Sequence, residues 1–176
     1  MGLGYQFKKA RKTLSSLAPA DRRTLAAICR DIQQAEENLL AAAEEALYRC
    51  RTVCRGICCH NVDLDAVLGF PDFVYILTLE SSLAGRMAAC LKNEPVLYVS
   101  DCIFLENGTG PCIFPHSVMP EVCITTFCTD ETPAKKEIKL LKWKFFRLGW
   151  FLATLKVRIF LRYLAGFFGK IKVFVR

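Results

Sequence analysis

Residues 50–59 read CRTVCRGICC, the stretch around which the rest of the chain is predicted to be organised. Its four cysteines are Cys50, Cys54, Cys58 and Cys59. On a continuing helix, the four-residue spacing of the first three would place their side chains along one face. Four thiolates held close together repel one another, and a bound cation relieves this repulsion by keeping each sulfur deprotonated. The stretch therefore predicts a metal centre.

Four further cysteines lie at longer intervals toward the C-terminus: Cys102, Cys112, Cys123 and Cys128. The Asn107-Gly108 pair is a turn signal for a β-hairpin, which would bring Cys102 and Cys112 close across two strands. Pro120 is predicted to open a short helix that carries the last two cysteines. Cysteines from distant parts of the chain would then surround the same centre.

Cysteines in such numbers could instead pack as small apolar residues or form structural disulfides. Packing in an apolar core does not explain this run well, because the charged residues Arg51 and Arg55 lie between its cysteines. Disulfides need an oxidising compartment, and no long apolar run follows the basic N-terminus as a secretory signal would require. We therefore predict a cytoplasmic protein with reduced thiols. Cys29 and Cys90, outside the two groups, are predicted to be core residues.

Four cysteine-containing elements follow one another along the chain: Cys50-Arg-Thr-Val-Cys54-Arg-Gly-Ile-Cys58-Cys59, Cys102-Ile-Phe-Leu, Gly110-Pro-Cys112-Ile-Phe and Met119-Pro-Glu-Val-Cys123. Over residues 48–128, their order resembles the cysteine-cluster proteins of the YkgJ type, a family described as a zinc- or iron-chelating domain. The family pattern has two residues between its first cysteines, where this chain has three. It also has Pro, Tyr and Arg where this chain has Ile103, Phe114 and Met119.

By this resemblance, the metal ligands would be the following cysteines, with the last as an added candidate: Cys50, Cys54, Cys58, Cys59, Cys102, Cys112, Cys123 and Cys128. Zinc commonly takes four sulfur or histidine ligands, so eight thiols could hold two zinc ions. They could also hold one four-iron (4Fe–4S) cluster, because such clusters take thiolate ligands in apolar surroundings. An apolar stripe behind helically spaced cysteines slightly favours the iron–sulfur cluster over zinc. His60 and His116 are further candidate ligands.

A long helix is predicted upstream of the cysteines, from Asp21 as N-cap to Cys50. Its apolar face recurs at three- and four-residue steps, through Leu25, Ile28, Ile32, Ala35, Leu39, Ala43 and Ala46. Glu36 and Glu37 lie off this face and are predicted to be solvated. The apolar run of residues 73–79 is compatible with either a buried strand or a helix.

The C-terminal segment 135–176 carries 12 Lys and Arg against the single Glu137, whereas residues 1–134 carry a net charge of −4. A helix with one apolar face is predicted here, through Ile138, Leu141, Phe145, Leu148, Leu152, Leu155 and Ile159. The longest uncharged stretch is residues 148–155, far short of the about 20 apolar residues that a membrane-spanning helix needs. Basic and aromatic side chains together favour a helix docked at a membrane surface or to a larger protein complex. Nucleic-acid binding is the less favoured interpretation.

Together these features predict a helix-rich α+β fold: a small metal-centred cysteine-cluster domain with a long N-terminal helix and a basic amphipathic C-terminal helix. The predicted domains are residues 1–49, 50–132 and 133–176. The predicted function is that of an accessory or electron-relay subunit, peripheral at a membrane or part of a larger assembly. One alternative is a cluster-dependent redox or transferase enzyme, although no phosphate loop, paired-carboxylate motif or small-molecule substrate can be identified. Another is a zinc-stabilised nucleic-acid-binding adaptor.

Overall fold

The computed structural model describes residues 2–49, 59–60, 62–92, 102–106, 111–126 and 132–174, and its last helix is described with side chains up to Arg158. The α-helices, in chain order, are α1 (Leu3–Ser16), α2 (Pro19–Ala42), α3 (Glu44–Arg49), α4 (Leu64–Val67), α5 (Phe70–Leu79), α6 (Ala84–Cys90), α7 (Glu121–Thr125) and α8 (Lys135–Phe174). Short 3₁₀ turns, Ser81–Leu83 and Thr132–Ala134, lead into α6 and α8. The described chain is helical, as predicted.

The β component of the predicted α+β fold is not found within the described ranges. The predicted hairpin is represented there by one isolated antiparallel bridge, between Leu105 and Cys112. A longer ladder is disfavoured because Pro111 and Pro115 bracket the second strand, and neither has an N–H to donate. The Asn107-Gly108 turn lies outside the described residues.

Helices α2 and α8 pack antiparallel along the core. Asp21, early in α2, pairs with Arg158 late in α8 (Oδ1 to Nη1, 3.3 Å), whereas Asp31 pairs with Lys144 earlier in α8 (Oδ2 to Nζ, 3.2 Å). The apolar faces predicted for the two helices are buried at most of their described positions: Leu25, Ile32, Ala35, Leu39 and Ala43 in the first, and Ile138, Leu141, Phe145, Leu148, Leu152 and Leu155 in α8. Ile28 and Ala46 are only partly buried, and Cys29, beside the predicted face, is buried. The predicted apolar face of the C-terminal helix therefore lies in the core of the protein itself.

Helix α5 packs against both of these helices and against α1. It settles the ambiguity of the apolar run 73–79, which is helical. Phe73 meets Phe7 of α1 edge-on with ring centroids 5.7 Å apart, and Tyr75 meets Phe145 of α8 at 5.2 Å. A helix that is apolar on nearly all sides belongs at the centre of a bundle, because every face of it must be covered.

The predicted helix from Asp21 to Cys50 begins earlier and is interrupted. Pro19 occupies its first turn after the extended Ala18, a position where proline's missing N–H costs no hydrogen bond. Helix α2 ends at Ala42, and α3 follows after a turn at Ala43. Cys50 lies just beyond the described part of this segment, so the predicted helical spacing of the first cysteines stays a prediction.

Glu36 corrects the prediction of a solvated acidic face, because its side chain is completely buried. Its Oε2 accepts a hydrogen bond from the Tyr75 hydroxyl at 2.8 Å and one from the Met119 N–H at 3.4 Å. Burial raises the pKa of Glu36 to about 8. The carboxyl is therefore mostly protonated at pH 7 and links α2 to α5 and to the segment before α7. Its neighbour Glu37 is exposed, as predicted.

No helix in the described part of the chain has an apolar stretch long enough to cross a membrane. This agrees with the prediction made from the charges of the C-terminal segment. The domain boundaries predicted near residues 50 and 133 stay predictions.

Candidate metal centre

Backbone hydrogen bonds join cysteine-carrying segments that are far apart in sequence. The Cys102 N–H donates to the Cys59 carbonyl at 2.8 Å. The Leu105–Cys112 bridge begins three residues after Cys102, and the Ile113 N–H donates to the Phe104 carbonyl at 2.9 Å. Cys59, Cys102 and Cys112 are all predicted ligands, and the fold places them in one neighbourhood.

The tripeptide Cys-Ile-Phe occurs twice, at residues 102–104 and 112–114, and its two copies behave alike. In each copy the thiol accepts a hydrogen bond from the backbone N–H of its phenylalanine, Phe104 for Cys102 and Phe114 for Cys112. The two phenylalanine rings lie 4.9 Å apart and are buried. N–H donation stabilises a thiolate, because it places a positive hydrogen against the developing charge. The repeat therefore presents two similarly hydrogen-bonded sulfurs beside a buried aromatic pair.

Helix α7 carries Cys123 and is fixed to α5 by a buried carboxylate. Asp72 accepts hydrogen bonds from the Gly69 N–H at 2.9 Å and from the Glu121 N–H at 3.0 Å, so one side chain serves the first turns of both helices. Cys123 as a whole residue is exposed, but the protein atoms around its sulfur exclude enough water to raise the pKa of the thiol. The prediction that a helix after Pro120 carries Cys123 is confirmed. The helix ends at Thr125, and Thr126 is extended, so it does not continue to Cys128, which lies outside the described residues.

The thiols influence one another's pKa values. After burial, the charges of Cys112, Cys102, Cys59 and Asp72 also raise the pKa of Cys123. The pKa of Cys112 is raised to about 11, first by burial and then by Cys102 and Cys90. Thiols with such pKa values are protonated at neutral pH, so a metal ion would have to displace protons in order to bind.

Cys90 adds a sulfur that sequence reasoning assigned to the core. It ends α6, is partly buried, and acts electrostatically on both Cys102 and Cys112. An exposed ion pair between Arg86 of α6 and Glu106 ties this helix to the bridge region. Cys29, by contrast, is fully buried in α2, as predicted. No sequence signal separates the two, because Cys90 joins the group only through the packing of α6.

The donor set fits zinc or an iron–sulfur cluster, since both take thiolate ligands. Within the ranges that the structure describes, no group of three or more His, Cys, Asp or Glu side chains is arranged to hold a metal ion. Half of the predicted ligands are described: Cys59, Cys102, Cys112 and Cys123. The other half lie outside the described residues: Cys50, Cys54, Cys58 and Cys128. The four described cysteines therefore do not form a site by themselves that could hold a metal ion.

Other polar residues singled out by the sequence have identifiable positions. His60 follows Cys59 and is half-buried, whereas His116 is exposed in a turn after Pro115. Asp63 caps α4 by accepting a hydrogen bond from the Asp65 N–H at 3.1 Å. The Asp63 carboxylate therefore has a structural role at the start of α4.

A cavity of about 420 Å³ opens between α1, α2 and α5. Its polar lining includes Arg11 and Arg22, and its floor includes Leu25 and Leu77. Its described lining includes no cysteine.

Comparisons with a set of family models, with curated proteins and with solved structures found no match to this chain. The resemblance to the YkgJ-type family stays a prediction that rests on the four cysteine elements.

Proposed function

We propose that this protein is a metal-binding cysteine-cluster protein, with an iron–sulfur cluster favoured over zinc. It would act as an accessory or electron-relay subunit, docked to a membrane or a larger complex through its basic C-terminal helix. One observation supports the proposal most. The Cys102 N–H to Cys59 carbonyl bond joins two cysteine segments that are distant in sequence, and the thiols of Cys112 and Cys123 lie within electrostatic reach of this pair.

Four described residues would supply part of the ligand set: Cys59, Cys102, Cys112 and Cys123. The residues Cys50, Cys54, Cys58 and Cys128 would complete it by the family resemblance. A bound cluster would supply electron transfer, and a bound zinc ion would supply structural stability. The protein's own contribution is to keep the sulfurs away from water and to donate backbone N–H groups to them, from Phe104 and Phe114. Both features are known to tune the potential of iron–sulfur clusters.

An enzymatic role is the weaker alternative. Chemistry at a metal needs a substrate cavity next to the metal, and the 420 Å³ cavity is lined without any of the cysteines.

The test is iron, zinc and acid-labile sulfide analysis, with a visible spectrum, on full-length protein purified without oxygen. Brown protein with iron and sulfide supports the cluster, and colourless protein with stoichiometric zinc supports the zinc alternative. Cys102→Ser and Cys112→Ser should each lower metal affinity by about 10–100-fold or more. Cys29→Ala is the matched control, because it removes a buried thiol of α2 and should leave the metal content unchanged. A folded protein that contains neither iron nor zinc would refute the proposal.

A further inference from the structure

Helix α8 has a second apolar face, and this one is exposed. Trp143, Phe146, Trp150 and Val157 are 56%, 59%, 67% and 57% exposed, and they recur at three-, four- and seven-residue steps. Steps of this size place side chains on one side of a helix. That side lies opposite the buried face, where Leu148 is completely inaccessible to water. We call these four residues the outer face of α8.

The spacing of the outer face continues in the sequence to the end of the helix. Apolar residues recur at alternating three- and four-residue steps from Val157 onward: Phe160, Leu164, Phe167, Ile171 and Phe174. Helix α8 is continuous over these positions and ends at Phe174. From Trp143 to Phe174 the helix is about 48 Å long at about 1.5 Å per residue. Because a seven-residue repeat drifts by about 20° per repeat round an ideal α-helix, this apolar register turns gradually round α8 toward its C-terminal end.

The charges beside the outer face are all positive. After Glu137 the sequence has no acidic residue, and it has ten Lys and Arg from Lys139 to Arg176. Arg147 and Lys156 lie on opposite flanks of the outer face by their helical positions, and both are exposed. Each also contacts the body of the protein, Arg147 through Asp31 (Nη1 to Oδ2, 3.7 Å) and Lys156 over the Phe70 ring. The acidic residues that face α8, Asp21 and Asp31 of α2, are already paired with basic residues of α8.

A second copy of this chain would be a poor partner for the outer face. The three- and four-residue steps suit a coiled coil, but the flanks of both copies would be basic and would repel each other. Trp143 and Trp150 also occupy positions where coiled coils take Leu, Ile or Val. The observed chemistry, aromatic side chains between cations, is that of a helix lying at the headgroup level of a bilayer.

We propose that the outer face of α8 binds the surface of an anionic lipid bilayer, with α8 lying in the membrane plane. Tryptophan rings would enter the headgroup region, while Lys and Arg extend toward lipid phosphates and carboxylates. Each basic residue close to such a surface contributes about 1 kcal/mol. This inference specifies the docking part of the proposed function, and it does not depend on the metal centre.

The chain carries its own reporter, because its two tryptophans are Trp143 and Trp150. The full-length protein is titrated with phosphatidylcholine vesicles and with vesicles in which about one-third of the lipid is phosphatidylserine. We expect the emission to shift to the blue, and the protein to float with the vesicles, only in the anionic mixture at low salt. Raising the salt should weaken binding, because screening reduces the electrostatic attraction.

The double variant Trp143→Gln, Trp150→Gln should lose flotation affinity by about ten-fold or more, because two exposed aromatic anchors are removed. Tyr5→Gln is the matched control, since Tyr5 is an exposed aromatic residue on α1, 54% exposed. It should float as the wild-type protein does. Circular dichroism should show both variants folded, because every substituted side chain is exposed.

Several outcomes would overturn the inference. These are the absence of binding to anionic vesicles, equal binding to neutral vesicles, or a blue shift produced by protein concentration alone, which would indicate a second copy. A blue shift with single-stranded RNA but not with vesicles at matched salt would likewise overturn it. Metal analysis of the same samples separates this failure from failure of the metal centre, and Cys102→Ser should still bind vesicles.

Discussion

The α2–α8 pair and the cysteine segments are stabilised in different ways. The helices bury a continuous apolar seam, in which each fully buried Leu or Phe contributes about 1.5–3 kcal/mol. In their described parts the cysteine segments also bury Phe104, Phe114 and Val118, but their regular structure consists of one isolated bridge and the short helix α7. Hydrophobic burial can stabilise the helical pair by itself, whereas we propose that the cysteine segments gain part of their stability from bound metal.

Glu36 links the two regions, and its removal should have the largest effect on how stability depends on pH. Its pKa is about 4.5 in the unfolded chain and about 8 in the folded protein. Between these values the folded state binds more protons, so the free energy of unfolding falls as pH rises through this window. The fall attributable to Glu36 is up to about 5 kcal/mol, at about 1.4 kcal/mol per pKa unit.

Glu36→Gln should abolish most of this decrease in the free energy of unfolding with rising pH, as measured by urea unfolding at pH 5 and pH 9. A smaller fall should remain, because burial also raises the pKa of Asp72 and Glu121. The control is Glu37→Gln, whose side chain is exposed and which should keep the wild-type pH dependence. An unchanged pH dependence in Glu36→Gln would show that Glu36 does not link the regions in the protonated form.

Leu148→Ala tests the buried apolar contact between α2 and α8 alone. Leu148 is completely buried between α8 and the core, so truncation should lower the free energy of unfolding by about 3–4 kcal/mol through lost burial and a cavity. Leu140→Ala on the same helix, at a residue that is 42% exposed, should change it by less than about 1 kcal/mol. Metal content should be unchanged in both. Equal losses in the two variants would contradict the assignment of the buried face.

Arg86→Gln should have the smallest effect. It removes the exposed ion pair with Glu106 that joins α6 to the bridge region. Exposed pairs contribute about 0–1 kcal/mol, so the urea midpoint should move little and metal content should stay the same. A loss of metal in this variant would mean that α6, and with it Cys90, is positioned by the ion pair and not by packing.

Local periodicity explains what the sequence could predict. The buried faces of α2 and α8 follow from residues three and four positions apart, so they are visible in the sequence itself. Helix α1 was not predicted, because its buried residues are few and depend on contacts such as that of Phe7 with Phe73. Glu36 was misassigned for a similar reason, since its partner Tyr75 is far away in the chain.

The contacts of the candidate metal centre are likewise of two kinds, local ones that the sequence predicts and long-range ones that it does not. The turn signal predicted that Cys102 and Cys112 approach each other, because a hairpin is a local feature. The Cys102–Cys59 backbone bond and the approach of Cys90 depend on how distant segments pack, and no spacing encodes them. The outer face of α8 was missed because its aromatic residues were grouped with the charges around them and not placed on the face opposite the buried one.

We propose that bound metal stabilises the cysteine segments but not the helical bundle. Hydrogen exchange, followed by mass spectrometry on anaerobically purified protein before and after metal removal, tests this claim most directly. We predict that peptides covering residues 102–106 and 111–126 lose protection when the metal is removed, while those from α2 and α8 keep theirs. Identical exchange in all of these peptides, or protein that is purified folded and without metal, would contradict the account.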